Sequence, residues 1–157
     1  MTRVNRWAIL SNLKDYIPQK LSSFSAKILI VDDVESNLTL LKILLAKEHF
    51  QVCTANSGTT CIEQARKEKP DLIILDVMMP DISGFDAAKV LKMDSETNNI
   101  PIIFLTALNT PFDLVRSFQL GADEFISKPF NKEELISRIY NIQGLHKTVS
   151  NFLDDKL

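Results

Sequence analysis

Cysteine is scarce in the 157 residues: only Cys53 and Cys61 occur, without metal-ligand spacing. Cys53 falls in a predicted strand and Cys61 in the helix after it, so both read as buried free thiols. That pattern excludes a disulfide scaffold and points to a reducing cytoplasm. Long hydrophobic runs are missing as well. No apolar stretch approaches the ~20 residues that span a bilayer, and Trp7-Ala8-Ile9-Leu10 is too short for a signal-peptide core. The expectation is a soluble, unexported protein. Charge of one sign is also lacking, since 18 basic and 20 acidic residues leave a formal net charge of -2. This gives no global pull toward nucleic acid or an anionic membrane. The two histidines, His49 and His146, read as surface residues. A phospho-donor histidine would need a helix-bundle context that the pattern does not provide.

What is present is enough apolar material, 45% of the chain, to fill the core of one domain with extensions. From Lys27 onward the pattern alternates strand and helix five times. Strands are predicted near 27–32, 51–55, 71–76, 101–105 and 124–127. Helices are predicted near 36–48, 58–68, 84–94 and 111–120, with a fifth from about Asn131. The runs near 27–32, 71–76, 101–105 and 124–127 are short and rich in Ile, Leu, Val and Phe, as in strands buried on both faces. Gly84, Pro101, Pro111 and Gly121 fall at boundaries. Alternation of this kind predicts a flavodoxin-like α/β fold. Its five-stranded parallel sheet should have the order 2-1-3-4-5, with helices on both faces.

Two segments flank this unit. Over residues 1–26, Trp7, Leu10, Leu13 and Ile17 recur at helical spacing before Pro18 and a Ser-rich linker. Arg3, Arg6, Lys14 and Lys20 make the segment locally basic. Packing on the domain or on a partner is its ordinary use, and a membrane-surface role is the alternative. The domain is expected over 27–143, with a tail over 144–157. Leu135, Ile139, Ile142, His146, Val149 and Leu153 have the spacing of a heptad seam that would continue the fifth helix, whereas Gly144 is a stop signal. Both readings stay open.

The ends of four strands carry the chemistry: KILIVDD runs to Asp32 and Asp33, PDLIILD to Asp76, IPIIFLT to Thr106, and DEFISK to Lys128. Ligands of open α/β sheets bind beyond the carboxyl ends of the strands, so these residues should converge. A lone Asp at a strand end is usually a turn or cap residue, but a joint set of three carboxylates, a hydroxyl and an ammonium is harder to read as structural. Clustered carboxylates must raise one another's pKa or bind a divalent cation, and a site built of oxygens suits Mg2+. With the cation in place, Asp76 could attack phosphorus, with Lys128 and Thr106 meeting the charge on the transferred oxygens.

These residues closely resemble the receiver domain of two-component response regulators, over about residues 27–140. The resemblance rests on the acidic pair in ILIVDD, on LDVMMPDISGFD, on the pair Thr106-Ala107 and on GADEFISKPF. It implies that Asp76 is the phospho-acceptor and that Asp33, Asp76 and the Met78 backbone carbonyl bind Mg2+, with Asp32 acting through a water. It further implies that Thr106 and Phe125 are the switch pair, that Lys128 contacts the phosphate, and that Lys128-Pro129 is a cis peptide. The implied donor is a histidine kinase or histidine phosphotransfer protein. The implied output is binding of a downstream protein, or homodimerisation through helix 4, strand 5 and helix 5. DVMMP and the long connection from Met93 to Ile100 are similar to receivers in hybrid kinases and in regulators with cyclic-dinucleotide synthase domains. Two other readings share the fold. A haloacid dehalogenase-like phosphatase would need a general acid two residues past the nucleophile, where Met78 stands, and a phosphorylation-independent interaction module would be indifferent to Asp76.

Overall fold

The computed structural model describes residues 26–108 and 110–142. The N-terminal pattern through Ile17 and the seam positions beyond Ile142 lie outside these residues. The elements are β1 (Lys27–Val31), α1 (Glu35–Lys47), β2 (Gln51–Ala55), α2 (Gly58–Glu68) and β3 (Leu72–Leu75). They are followed by α3 (Gly84–Met93), β4 (Ile102–Thr106), α4 (Pro111–Gln119), β5 (Glu124–Ser127) and α5 (Lys132–Asn141). All strand pairs are parallel, in the order β2-β1-β3-β4-β5. The predicted fold is the observed one.

Strand alternation explains the layering, because successive side chains point to opposite faces. Ile28, Ile30, Ile74 and Leu105 meet Leu38, Leu41 and Leu45 of α1 and Leu135 and Ile139 of α5 on one face. Leu29, Val31, Ile73 and Phe104 meet Cys61 and Ala65 of α2 and Phe85, Ala88 and Leu91 of α3 on the other. Both thiols are free, and burial, reinforced by the charge of Asp81, pushes the Cys61 thiol up to about 12. That thiol is protonated and inert in the folded chain.

Two strands end one residue earlier than their apolar runs suggest. β1 stops at Val31 and β3 at Leu75, so Asp32 and Asp76 stand just past the ladder. Their backbone amides still extend the sheet, Asp32 donating to the Ala55 carbonyl at 3.2 Å and Asp76 to that of Val31 at 3.0 Å. The backbone is thereby held in register while the carboxylates stay available. α5 ends at Asn141, and Ile142 after it is extended (φ -69, ψ 120).

Four helices have side-chain N-caps, from Ser57, Ser83, Thr110 and Asn131. α1 has none: its N-cap is Val34, and the nearest acceptor, Asp32, instead takes the Val34 amide at 2.9 Å. α4 is the least embedded helix, with Ser117 as its one buried residue.

Gly84 opens α3 where the chain turns back under the end of β3, and its amide donates to the Val77 carbonyl at 2.8 Å. A Cβ there would collide with the Asp76 carbonyl oxygen and lie 2.7 Å from the Val77 Cα. Both are backbone atoms that cannot swing aside. Gly84→Ala should therefore destabilise the fold by about 1–3 kcal/mol through overpacking. Urea denaturation checks this, and an unchanged midpoint would show that the approach is not tight.

Candidate functional site

Asp32 and Asp76 end neighbouring strands, and Asp33 follows Asp32. One carboxylate oxygen from each of the three lies within 4.8 Å of the others. Asp32 and Asp76 are buried and Asp33 is exposed, so the trio opens to solvent on one side. Such a cluster offers only oxygen ligands, which fits a hard divalent cation such as Mg2+ and not a thiolate- or imidazole-seeking metal.

Lys128 reaches in from the far edge of the sheet. Its ammonium donates to Asp32 Oδ2 at 2.8 Å and to Asp76 Oδ2 at 3.1 Å, bridging the two buried carboxylates. Burial pulls its pKa down, but the hydrogen bonds and charges of Asp32 and Asp76 outweigh that and hold it above the ordinary lysine value. It stays an ammonium through the neutral range. The backbone aims it: the Lys128 amide donates to the Thr106 carbonyl at 2.8 Å, and Lys128-Pro129 is cis.

Asp32 and Asp76 accept further hydrogen bonds. Asp32 Oδ2 takes a second hydrogen bond, from Asn37 Nδ2 at 3.1 Å, and Asp76 Oδ1 accepts from the Met78 amide at 3.2 Å. Thr106 is wholly buried at the end of β4, with its hydroxyl accepting from the Leu108 amide at 3.4 Å. Phe125 is half-buried in β5, opposite Phe104 in the strand register. Asp32, Asp33, Asp76 and Lys128 are thus drawn into one crevice. Thr106 and Phe125 stand further along the sheet, engaged with their own loop and the apolar layer. An open cleft beside the trio is lined by Asp33, Met78, Met79, Leu108, Asp113 and Arg116, among others, and the Met78 side chain is exposed. Arg116 lies 4.7 Å from the centre of the Phe85 ring, tying α4 to α3.

Two contributors escaped the reading of the sequence. Asn37 sits five residues past Asp32, in the first turn of α1, and its role depends on where that turn faces. Asp81, inside the quoted LDVMMPDISGFD, accepts from the Gly58 amide at 3.0 Å and from the Thr59 amide at 2.9 Å. It also takes the Thr59 hydroxyl, and that hydroxyl leads the causes that hold its carboxyl well below the usual range. Asp81 thus pins the loop after Asp76 to the N-terminus of α2, across 22 residues of sequence. No local pattern announces so distant a cap.

Comparison with known proteins covers nearly all of this architecture. The family described as the response regulator receiver domain matches residues 28–140. Response regulator PleD of Caulobacter vibrioides is 40% identical over 118 residues, covering 75% of this chain and 26% of that protein. The alkaline phosphatase synthesis transcriptional regulatory protein PhoP of Bacillus subtilis is 42% identical over 113 residues, covering 72% and 46%. The chain thus spans about a quarter to a half of the length of these curated relatives. Among solved structures, chemotaxis protein CheY4 of Vibrio cholerae superposes with a TM-score of 0.72 at 33% identity, covering 75% of this chain and 98% of that one. The family match begins in β1 and ends in α5, and so takes in every strand that delivers a residue to the crevice. The chain belongs to the response regulator receiver domain family, the signalling switches of two-component systems.

Proposed function

We propose that Asp76 accepts a phosphoryl group from a histidine kinase or histidine phosphotransfer protein, and that this changes how the chain binds a downstream protein. One observation carries the reading: the Lys128 ammonium bridges two members of a carboxylate trio whose oxygens lie within 4.8 Å of one another. Three anions and one cation leave surplus negative charge in one place, and a divalent cation relieves it. Receiver domains bind Mg2+ at such an acidic pocket. In this chain Asp33, Asp76 and the Met78 backbone carbonyl would hold it directly, with Asp32 through a water. When bound it supplies positive charge that lets an anionic phosphoryl group approach an anionic carboxylate.

The chain's own residues do the rest. An Asp76 carboxylate oxygen forms the new bond to phosphorus as the bond to the donor breaks. The donor's imidazole nitrogen, or the oxygen of an acyl phosphate, leaves with the electron pair. Lys128 is already within reach of Asp76 and exchanges a carboxylate partner for a phosphoryl oxygen. The Thr106 hydroxyl turns from its loop to donate to another. Its movement vacates space for Phe125 to swing inward, biasing two packings of the region where α4, β5 and α5 meet. That surface would serve a partner protein or a second copy of the chain. Residues 27–143 act as the receiver unit, between the segment 1–26 and the tail 144–157, and the cytoplasm, where such donors work, is the compartment we assign.

Incubation with a small acyl phosphate and Mg2+ should add one phosphoryl group, read by intact mass. The addition should be absent without Mg2+ and in Asp76→Asn, and equal labelling of that variant would overturn the assignment. Partner binding indifferent to Asp76→Asn would favour a phosphorylation-independent module. Amide hydrogen exchange on phosphorylation should change across 111–141; a change confined to 36–68 would put the output elsewhere.

The lifetime of the phosphorylated state depends on how water reaches phosphorus in line. Met78 and Leu108 line the cleft beside Asp33 and have no strong donor or acceptor in their side chains to orient that water. Hydrolysis should therefore be slow. Met78→Asn combined with Leu108→Glu should speed loss of the phosphoryl group in Mg2+ once the donor is removed. Equal or slower decay in the double variant would show that other positions set the rate.

A further inference from the structure

α4 exposes more large apolar surface than it buries. Phe112, Val115 and Phe118, at positions i, i+3 and i+6, form one stripe and are 71%, 54% and 49% exposed, while the helix buries only Ser117. No described residue covers the stripe. A soluble domain rarely leaves such a stripe without an occupant. The sequence holds one of matching character, in which Trp7, Leu10, Leu13 and Ile17 repeat at helical spacing. We propose that residues 1–25 dock on their own domain, seating Trp7, Leu10, Leu13 and Ile17 on the stripe formed by Phe112, Val115 and Phe118.

Reach and the opposite net charges of the two parts permit this pairing. Ala26 precedes β1 at the end of the strands opposite the crevice, and α4 runs down to that same end before β5 starts. From β1 to β5 is three strand spacings, about 14 Å, and the helix layer lies roughly 10 Å off the sheet. The eight residues 18–25 span up to about 26 Å when extended, so the docked pattern is within reach. Residues 1–25 carry Arg3, Arg6, Lys14 and Lys20 against Asp15 alone, whereas residues 26–142 carry 17 acidic and 12 basic residues. α1 also exposes apolar side chains, Leu40 and Ile43. That patch has two large exposed apolar residues where the α4 stripe has three, and the cleft beside it is lined by Lys128 and Lys132, which are paired with Asp32, Asp76 and Glu48. At α4 the flanking charge is Asp113 on the helix and Asp123 and Glu124 at the start of β5. The nearby cations are Arg116, over the Phe85 ring, and Arg138, paired with Glu124 at 3.0 Å. Docked there, the segment competes with any partner for the α4 surface.

Trp7 is the sole tryptophan of the chain and reports the contact directly. The measurement is acrylamide quenching of its fluorescence in the full, unphosphorylated protein over a hundredfold range of concentration. The expected result is quenching several-fold weaker than in the urea-denatured chain and independent of concentration. Phe118→Asp and, separately, Val115→Asp should abolish the protection while urea unfolding stays cooperative, and Leu40→Asp should leave it intact. A fully accessible Trp7, protection that survives both α4 substitutions, protection lost with Leu40→Asp, or protection that falls on dilution, as a second copy would give, each overturns the proposal. Because no phosphoryl group is involved, failure here leaves the role of Asp76 untouched.

Discussion

The mutual repulsion of Asp32, Asp33 and Asp76 is the constraint around which the rest of this fold is organised. Carboxylates held this close would drive one another toward protonation or apart unless something offset their charge. Lys128 supplies part of that offset by bridging Asp32 and Asp76, and hydrogen bonds from Val34, Asn37 and Met78 take up further lone pairs. The chain invests its backbone accordingly. Two strands stop one residue early, one helix goes without its own side-chain cap, and a glycine is tucked beneath the Asp76 carbonyl so that no side chain displaces it.

The offset is incomplete, and the remaining negative charge is what the proposed cation and phosphoryl group would draw on. One ammonium does not neutralise three carboxylates, and Asp33 faces solvent, so the crevice retains an open side. A fully balanced cluster would be a structural ion-pair network with nothing to gain from a cation or a phosphoryl group. Here the same electrostatic imbalance that costs stability would supply affinity, because oxygens are left to be shared with an incoming ligand.

Rigidity is distributed unevenly around that charge. β1, β3 and β4 are packed on both faces and hold Asp32, Asp76 and Thr106 in fixed relation. The β4–β5 side is different: α4 buries a single residue, and Phe125 is only half-buried. A helix with so little apolar anchorage can shift at small cost, while α1, with Leu38, Leu41 and Leu45 in the core, cannot. The part of the molecule able to move therefore adjoins Thr106 and Lys128, the residues an added phosphoryl group would engage.

Much of this was legible in the amino-acid sequence. Runs such as ILIV, LIIL and IIFL, separated by amphipathic stretches, admit few arrangements other than a parallel sheet sandwiched by helices, because each run is apolar on both faces. Once the strands are parallel, the residues at their carboxyl ends must share one edge, so the convergence of Asp32, Asp33, Asp76 and Lys128 follows from the order of the chain. The sequence could not disclose contacts made through space between distant elements. Asn37 reaching back to Asp32, Asp81 capping α2, and Lys128 choosing Asp32 and Asp76 as joint partners depend on angles between elements that local periodicity does not encode. The exposed stripe on α4 belongs with them. Phe112, Val115 and Phe118 are of residue types more often buried than exposed, and only the packing of the helix on its small Ser117 face decided that they point outward, since burial depends on which side of a helix meets the sheet and not on the helix's composition.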